Sequence, residues 1–451
     1  MVFMSKKRLH TVLIEKLVPG GLGLGRLAEG IVVMVRYVLP GEKVLVRESH
    51  RKKNFIQGEL AEILEPAPDR IEPPCPLFSQ CGGCDLQHTN YRNQLHLKRA
   101  MLVDNLQRAA LEPPSQIVSI SDPPIDSPET FGYRQRIRLH TDDMGRLGFY
   151  HHDSHTLVPT SQCLLAHPRL NEALEQFNAI PGFADLLIQC LSIELLYSPA
   201  KDDVILLLQF RRKPRPKDRL HAQQVQESIQ GVSLVVMQVS GHGFFVPHHE
   251  TCLSTPPILA QIMPADIAGT SFSLTWEAGG FCQVNLQQNQ NLIKLVIDLL
   301  NGGSHGRVLD LFCGLGNFSL PITMHGAEVI GLDGQGSAIR SARANAAAAG
   351  ITGCSFRKTP ILAGVQQLVA ARQTFQTILL DPPRQGAAEI ISLLPGLAAD
   401  KIIYISCNPP TLVRDLALLQ TFGYKLCRLV PIDMFPQTHH LECVALLERN
   451  S

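Results

Sequence analysis

RVLDLFCGLGNFSLPITMHGAEVIGLD, residues 307–333, is the stretch that decides the fold. Arg307–Asp310 reads as a short apolar strand, FCGLGNF (Phe312 to Phe318) as a tight turn, Phe318–His325 as a helix and Glu328–Asp333 as a second strand. Gly314 and Gly316 let the backbone turn sharply and approach a ligand. An acid at the end of the next strand, Asp333, is placed to accept hydrogen bonds from ribose hydroxyls. Glycines alone are weak evidence, because dinucleotide enzymes and empty βα turns share them. The whole strand–glycine–helix–strand–Asp unit points to an adenosine-containing ligand.

The same alternation continues on both sides. Leu292, Leu295, Val296, Leu299 and Leu300 form one face of a helix ended by Gly302-Gly303. Further strands fit Thr377–Leu380 and Lys401–Ser406, and further helices Ser337–Ala349, stopped by Gly350, and Thr411–Phe422. The expectation is an α/β domain with a doubly wound, largely parallel sheet and ligands at the carboxyl ends of its strands. One strand ends in DPPR, Asp381 to Arg384, which resembles the acidic-Pro-Pro motif of methyltransferases acting on planar nitrogen or carbon. This shifts the expected cofactor from a nicotinamide dinucleotide to S-adenosylmethionine.

The next strand delivers Cys407 within SCNPPTL. A strand-end cysteine is often an inert packing residue. A thiolate at this place, however, solves a specific problem. Uracil C5 is too weak a nucleophile to take a methyl from a sulfonium, but a thiolate added at C6 turns the ring into an enolate whose C5 can attack. A general base must then remove the C5 proton. Such a cysteine needs nearby amides or positive charge to favour its thiolate.

Upstream, strands fit Thr11–Ile14, Ile31–Val38, Lys43–Val46 and Phe55–Ile63. GGLGLG, Gly20 to Gly25, imitates a phosphate loop, but a strand follows it rather than a helix, so turn glycines of a small β-barrel explain it better. The proline-rich Glu65–Pro76 reads as a linker, and the following region as a mixed α+β domain with a helix near Tyr91–Ala109. Cys75, Cys81 and Cys84 are spaced C-x5-C-x2-C around Gly82-Gly83, a metal-site pattern. Zinc and an iron–sulfur cluster would both use such thiolates. Tyr133, Arg134 and Arg136 alternate aromatic and basic character, as a strand contacting single-stranded RNA would. His151, His152, His155, His248 and His249 lack accompanying cysteines and read as surface residues. Cys190, Cys252, Cys282, Cys313, Cys354, Cys427 and Cys443 read as packing residues.

Composition bounds the rest. The 451 residues, 45% hydrophobic and 18% charged, exceed one ordinary core and suggest two or three domains. No apolar run approaches the roughly 20 residues of a membrane helix, and MVFMSKKRLH offers no signal peptide, so a cytoplasmic protein without membrane contact is expected. Net charge is only +1, but residues 1–60 carry eleven Lys/Arg against five Asp/Glu, and Arg211–Arg219 six against one. Such segments attract phosphate backbones, although solvated loops carry them too.

CPLFSQCGGCDLQH, FCQVN, DLFCGLGNFSLP, DPPR, SCNP and DMFPQTHHLE occur in that order over nearly the whole chain. In this the sequence resembles the RNA uracil-5 methyltransferases, specifically iron–sulfur members with an N-terminal TRAM barrel. The resemblance implies Cys407 as nucleophile, Glu442 as base, and Asp381 where cofactor and uracil meet. It implies Gln283, Phe312, Asn317, Asp333 and Asp381 as S-adenosylmethionine contacts, and Cys163 as fourth ligand, with Cys75, Cys81 and Cys84, of a [4Fe–4S] cluster. Two departures stand out: Asp333 replaces a usual Glu, and Pro360 stands where a cofactor-contacting Asn is expected. The implied architecture is a TRAM β-barrel (1–68), a central cluster-bearing domain (69–265) and a class I Rossmann-like methyltransferase domain (266–451). RNA is the implied partner of a monomer, with 23S ribosomal RNA ahead of transfer RNA. The rivals are exocyclic-amine methylation through DPPR without a covalent adduct, and RNA binding without catalysis.

Overall fold

The computed structural model describes residues 8–450 apart from 110, 112, 113, 181, 250, 254 and 301–305. The stop expected at Gly302-Gly303 lies outside the described residues.

Strands β1 (Leu9–Val18), β2 (Leu22–Arg26), β3 (Val32–Arg36), β4 (Lys43–Lys52) and β5 (Phe55–Glu65) close into a barrel in the order β1-β2-β3-β5-β4. Alternate residues such as Val12, Ile14, Val33, Val35, Val44 and Val46 fill its interior. The glycine run is only partly a turn. Gly20 and Gly21 turn the chain with positive φ, whereas Gly23 and Gly25 lie within β2. A Cβ at Gly23 would fall 2.2 Å from Val38 Cγ2, so these glycines admit neighbouring strands.

The central region holds a seven-stranded sheet in the order β12-β11-β10-β9-β6-β7-β8. Its strands are β6 (Arg136–Thr141), β7 (Leu147–Tyr150), β8 (Leu157–Pro159), β9 (Cys190–Ser198), β10 (Asp203–Phe210), β11 (Val232–Val239) and β12 (Gly243–Phe245). A hairpin of β13 (Ile258–Met263) and β14 (Phe272–Glu277) spans residue 265 and shares one core with both large sheets.

The C-terminal sheet comprises β15 (Arg307–Leu311), β16 (Glu328–Asp333), β17 (Cys354–Lys358), β18 (Thr377–Leu380), β19 (Lys401–Ser406), β20 (Tyr424–Ile432) and β21 (Glu442–Arg449). Its order is β17-β16-β15-β18-β19-β21-β20, parallel except for β21, which runs antiparallel to β19 and β20. Helices cover both faces, so β15, β18 and β19 are buried almost throughout. Helix Tyr91–Arg108 and residues 117–125 precede the central sheet in sequence yet pack on this one. Leu102 and Leu106 of helix Tyr91–Arg108, together with Ile117, enter its core, and Ser121 and Ile125 bridge to Leu429 and Ile432 of β20.

Candidate active site

β19 ends at Ser406, and the chain passes through Cys407 and Asn408 into helix Pro409–Thr421. Antiparallel pairing of Ser406 with Cys443 ends β19 beside the start of β21, and Glu442, its first residue, lies within charge range of Cys407. The DPPR turn after β18 is tied to the same corner: Asn408 Nδ2 and Thr411 Oγ1 donate to the Arg384 carbonyl at 2.9 and 3.1 Å. Three loops separated in sequence thus meet at the carboxyl edge of the sheet.

Charges there act on one another. Burial pushes the Cys407 thiol up to about 11; Glu442 and Asp381 act in the same direction, and Arg384 opposes them. The positive charge expected beside the thiol is thus present in Arg384, but burial and the two acids outweigh it. Glu442, 4% exposed, has its carboxyl raised well above the usual range by burial and by Asp381, with Arg384 again opposing. Burial, reinforced by Asp310, raises Asp381 to about 7. Burial is also the main reason that Asp310, which accepts from Ser319 Oγ, is raised to about 7.

Cys407 lines a cavity of about 210 Å³ together with Arg384, Asn408, Pro409, His440 and Lys98. Burial, then His439 and Arg384, lowers His440 to about 3, so its ring is neutral. Lys98 is fully buried in an ion pair with Asp433 at 2.6 Å and also donates to the Phe435 carbonyl at 3.1 Å. Sequence reasoning passed over Arg384, His440 and Lys98. The first two sit inside quoted motifs and were within reach of it; Lys98 had no signal, since its partner lies 335 residues away.

The residues expected to hold the cofactor lie along the same sheet edge. Phe312 takes a left-handed φ of 67° after β15, leading into Gly314 and Gly316, also at positive φ. Asp333, ending β16, accepts the Gly314 N–H at 3.0 Å and the Gln335 N–H at 2.7 Å, one on each oxygen. Asn317 forms a reciprocal amide pair with Asn289 at 2.8 and 2.9 Å. Gln283 is half-buried in the bend before helix Leu286–Leu299. Pro360 is the N-cap of helix Ile361–Ala370, next to Thr359, whose N–H reaches the Asp333 carbonyl at 2.9 Å.

Cys75, Cys81, Cys84 and Cys163 line a single cavity of about 330 Å³ with Arg134 and Arg136. Burial raises the thiols of Cys81, Cys84 and Cys163, and the four cysteines lie within charge range of one another. Among the described residues no group of three or more His, Cys, Asp or Glu is already set at ligating geometry. The RNA-contact reading of 133–136 needs correction. Tyr133 is buried and donates to the Pro436 carbonyl at 3.1 Å, Arg134 faces the cysteines, and Arg136 pairs with Glu194 at 2.5 Å. Of the cysteines read as packing residues, Cys190, Cys282, Cys313 and Cys443 are buried, while Cys252 is exposed. No helix among the described residues is long and apolar enough to cross a membrane.

The strand order, the glycine turn and the acid ending the second strand define a class I, S-adenosylmethionine-dependent methyltransferase fold. The family model described as tRNA (Uracil-5-)-methyltransferase matches residues 127–450, and the chain belongs to that family. It is 34% identical over 431 residues to the 23S rRNA (uracil(1939)-C(5))-methyltransferase RlmD of Shewanella sp. (strain MR-4), covering 93% of this chain and 91% of the relative. The RlmD of Alcanivorax borkumensis is 31% identical over 445 residues, covering 97% and 96%. Among solved structures, Pyrococcus abyssi tRNA (uracil-54, C5)-methyltransferase in complex with S-adenosyl-L-homocysteine shares the fold. Its TM-score is 0.70 at 23% identity, covering 97% of this chain and 100% of that one.

Proposed function

We propose that this chain methylates C5 of a uridine in 23S ribosomal RNA, with Cys407 as covalent nucleophile and Glu442 as base. The observation that supports the reading is the Ser406–Cys443 pairing, next to which the buried Glu442 acts on the charge of Cys407, a thiol that lines a cavity. The target base leaves its stack to enter that cavity. The Cys407 proton passes to solvent and the thiolate sulfur bonds to C6; the C5–C6 double bond opens, and electron density moves onto C5 and O4. S-adenosylmethionine, when bound, supplies the electrophilic methyl that C5 accepts. Glu442 then removes the remaining C5 proton. That electron pair restores the C5–C6 double bond as the C6–S bond breaks, and Cys407 leaves as thiolate. A carboxyl raised by burial is a stronger base once ionised, which suits this step.

Gln283, Phe312, Asn317, Asp333 and Asp381 are the proposed cofactor contacts. Each Asp333 oxygen accepts one backbone N–H and keeps a lone pair for a ribose hydroxyl. The space beside Gly314, where a Cβ would meet nothing within 4 Å, leaves room for a ligand against the backbone. Cys75, Cys81, Cys84 and Cys163 would hold a [4Fe–4S] cluster that orders the surrounding segment. Four thiols around one cavity suit it, and so does the adjacent Arg134, whose buried Nε lacks a partner and whose charge offsets thiolates. The barrel, read as a TRAM domain, exposes Arg47, Lys52 and Lys53 for phosphate contact.

The test is incubation with 23S ribosomal RNA containing 5-fluorouridine plus S-adenosylmethionine. Fluorine at C5 cannot leave as a proton, so a protein–RNA adduct resistant to denaturation should accumulate, and none with Cys407→Ala. Good RNA binding without any adduct would refute the covalent route. Methyl incorporation into transfer RNA in preference to 23S ribosomal RNA would reassign the substrate.

A further inference from the structure

Loops that join sheet strands usually run over the surface, because their backbone polar groups need water. The connection between β20 and β21, residues 433–441, does the opposite: Asp433, Met434, Pro436, Gln437, Thr438 and Leu441 are all buried. It leads directly into Glu442. Within it Gln437, a residue with a β-carbon, holds a left-handed φ of 69°. Such a conformation persists only where its surroundings over-determine it.

Residues 85–94 supply most of those surroundings, and the Thr130 carbonyl accepts from Gln437 Nε2 at 3.4 Å. The Gln437 carbonyl accepts two N–H groups, from Asp85 and Leu86, each at 3.1 Å. The Gln437 N–H donates to Gln94 Oε1 at 3.0 Å, and Gln94 Nε2 donates to Gln437 Oε1 at 2.9 Å. Gln94 is itself 1% exposed and anchored by a second bond to the Thr89 carbonyl at 3.1 Å. Beyond the turn, His439 Nδ1 pairs with Asp85, and the His440 N–H reaches Thr438 Oγ1 at 3.3 Å.

We propose that Gln94 is a positioning residue for Glu442. Its amide clamps Gln437 in the left-handed conformation and so sets the direction in which the chain enters β21 and faces Cys407. A buried double amide pair is a poor choice for stability alone, since apolar groups of similar shape would do nearly as well. It does specify one conformation. The inference rests on Glu442 acting as the base. Nothing in it requires Gln94 to touch uracil or cofactor. Attack by Cys407 therefore proceeds without the clamp, and removal of the C5 proton is what slows.

The test uses the full chain with unmodified 23S ribosomal RNA. In Gln94→Ala, kcat should fall roughly 10- to 100-fold, the scale of a misplaced catalytic group. The KM for S-adenosylmethionine should stay within twofold. A protein–RNA adduct should now stand with ordinary uridine, because the methylated ring cannot be released. Should Gln94→Ala fail to fold, Gln94→Met serves instead: it fills similar space but offers Gln437 neither the acceptor nor the donor. Turnover within twofold of wild type, or parallel losses of adduct formation, cofactor affinity and kcat, would overturn the proposal. If wild-type protein forms no adduct with 5-fluorouridine RNA, the covalent reading fails as well. If it does and the variant turns over normally, only the clamp is lost.

Discussion

Lys98→Met tests how the substrate cavity is held together. The Lys98 side chain is fully buried, paired with an equally buried Asp433 at 2.6 Å, and bonded to the Phe435 carbonyl at 3.1 Å. Methionine matches the stem in length and flexibility but removes the charge. Asp433 would keep the Phe435 N–H at 3.2 Å as a partner for Oδ1, while its Oδ2 already has none. Stranding a buried charge in this way costs about 3–5 kcal/mol. At roughly 2–4 °C per kcal/mol for a domain of this size, the melting transition should drop by about 6–20 °C. Lys98→Met combined with Asp433→Asn removes both charges and should recover more than half of that loss, as measured by differential scanning calorimetry. Equal drops for the single and double variants would refute the reasoning, because the loss would then reflect packing rather than an uncompensated carboxylate.

Two further outcomes follow from the charges described. With the Cys407 thiol pushed up to about 11, its thiolate fraction grows about tenfold per pH unit well below that value. The rate of adduct formation with 5-fluorouridine RNA should therefore climb with a slope near one between pH 6.5 and 8.5, and a flat profile would contradict a protonated resting thiol. Substituting Cys163→Ser should lower iron and sulfide bound per chain to the same degree as Cys81→Ser; measured metal content that is zinc, or is unaffected by Cys163, would remove the cluster assignment.

Local chemistry made much of this molecule legible. The boundaries Glu328–Asp333, Thr377–Leu380 and Lys401–Ser406 follow from short apolar runs that parallel pairing buries on both faces, and the structure has strands over those same residues. The strands β17, β20 and β21 were not read. β17 carries mostly exposed residues on an edge, and β20 contains a proline, so neither offers a clean period. Glycines 20–25 misled because one run serves two purposes, turning at Gly20 and Gly21 and admitting neighbours at Gly23 and Gly25.

From the residues alone came the strand–helix alternation through β15, β16, β18 and β19, the glycine turn, the strand-end acids and the place of Cys407 after a strand, because each depends on neighbours within a few positions. Tertiary structure alone decided that helix Tyr91–Arg108 leaves the region it precedes and braces the C-terminal sheet. It likewise decided that Gln94 reaches Gln437 and Lys98 reaches Asp433, and that burial and acids outweigh Arg384 at the thiol. Contacts across more than three hundred residues leave no periodic trace in a chain. Burial, which governs the charges, exists only once the layers have closed.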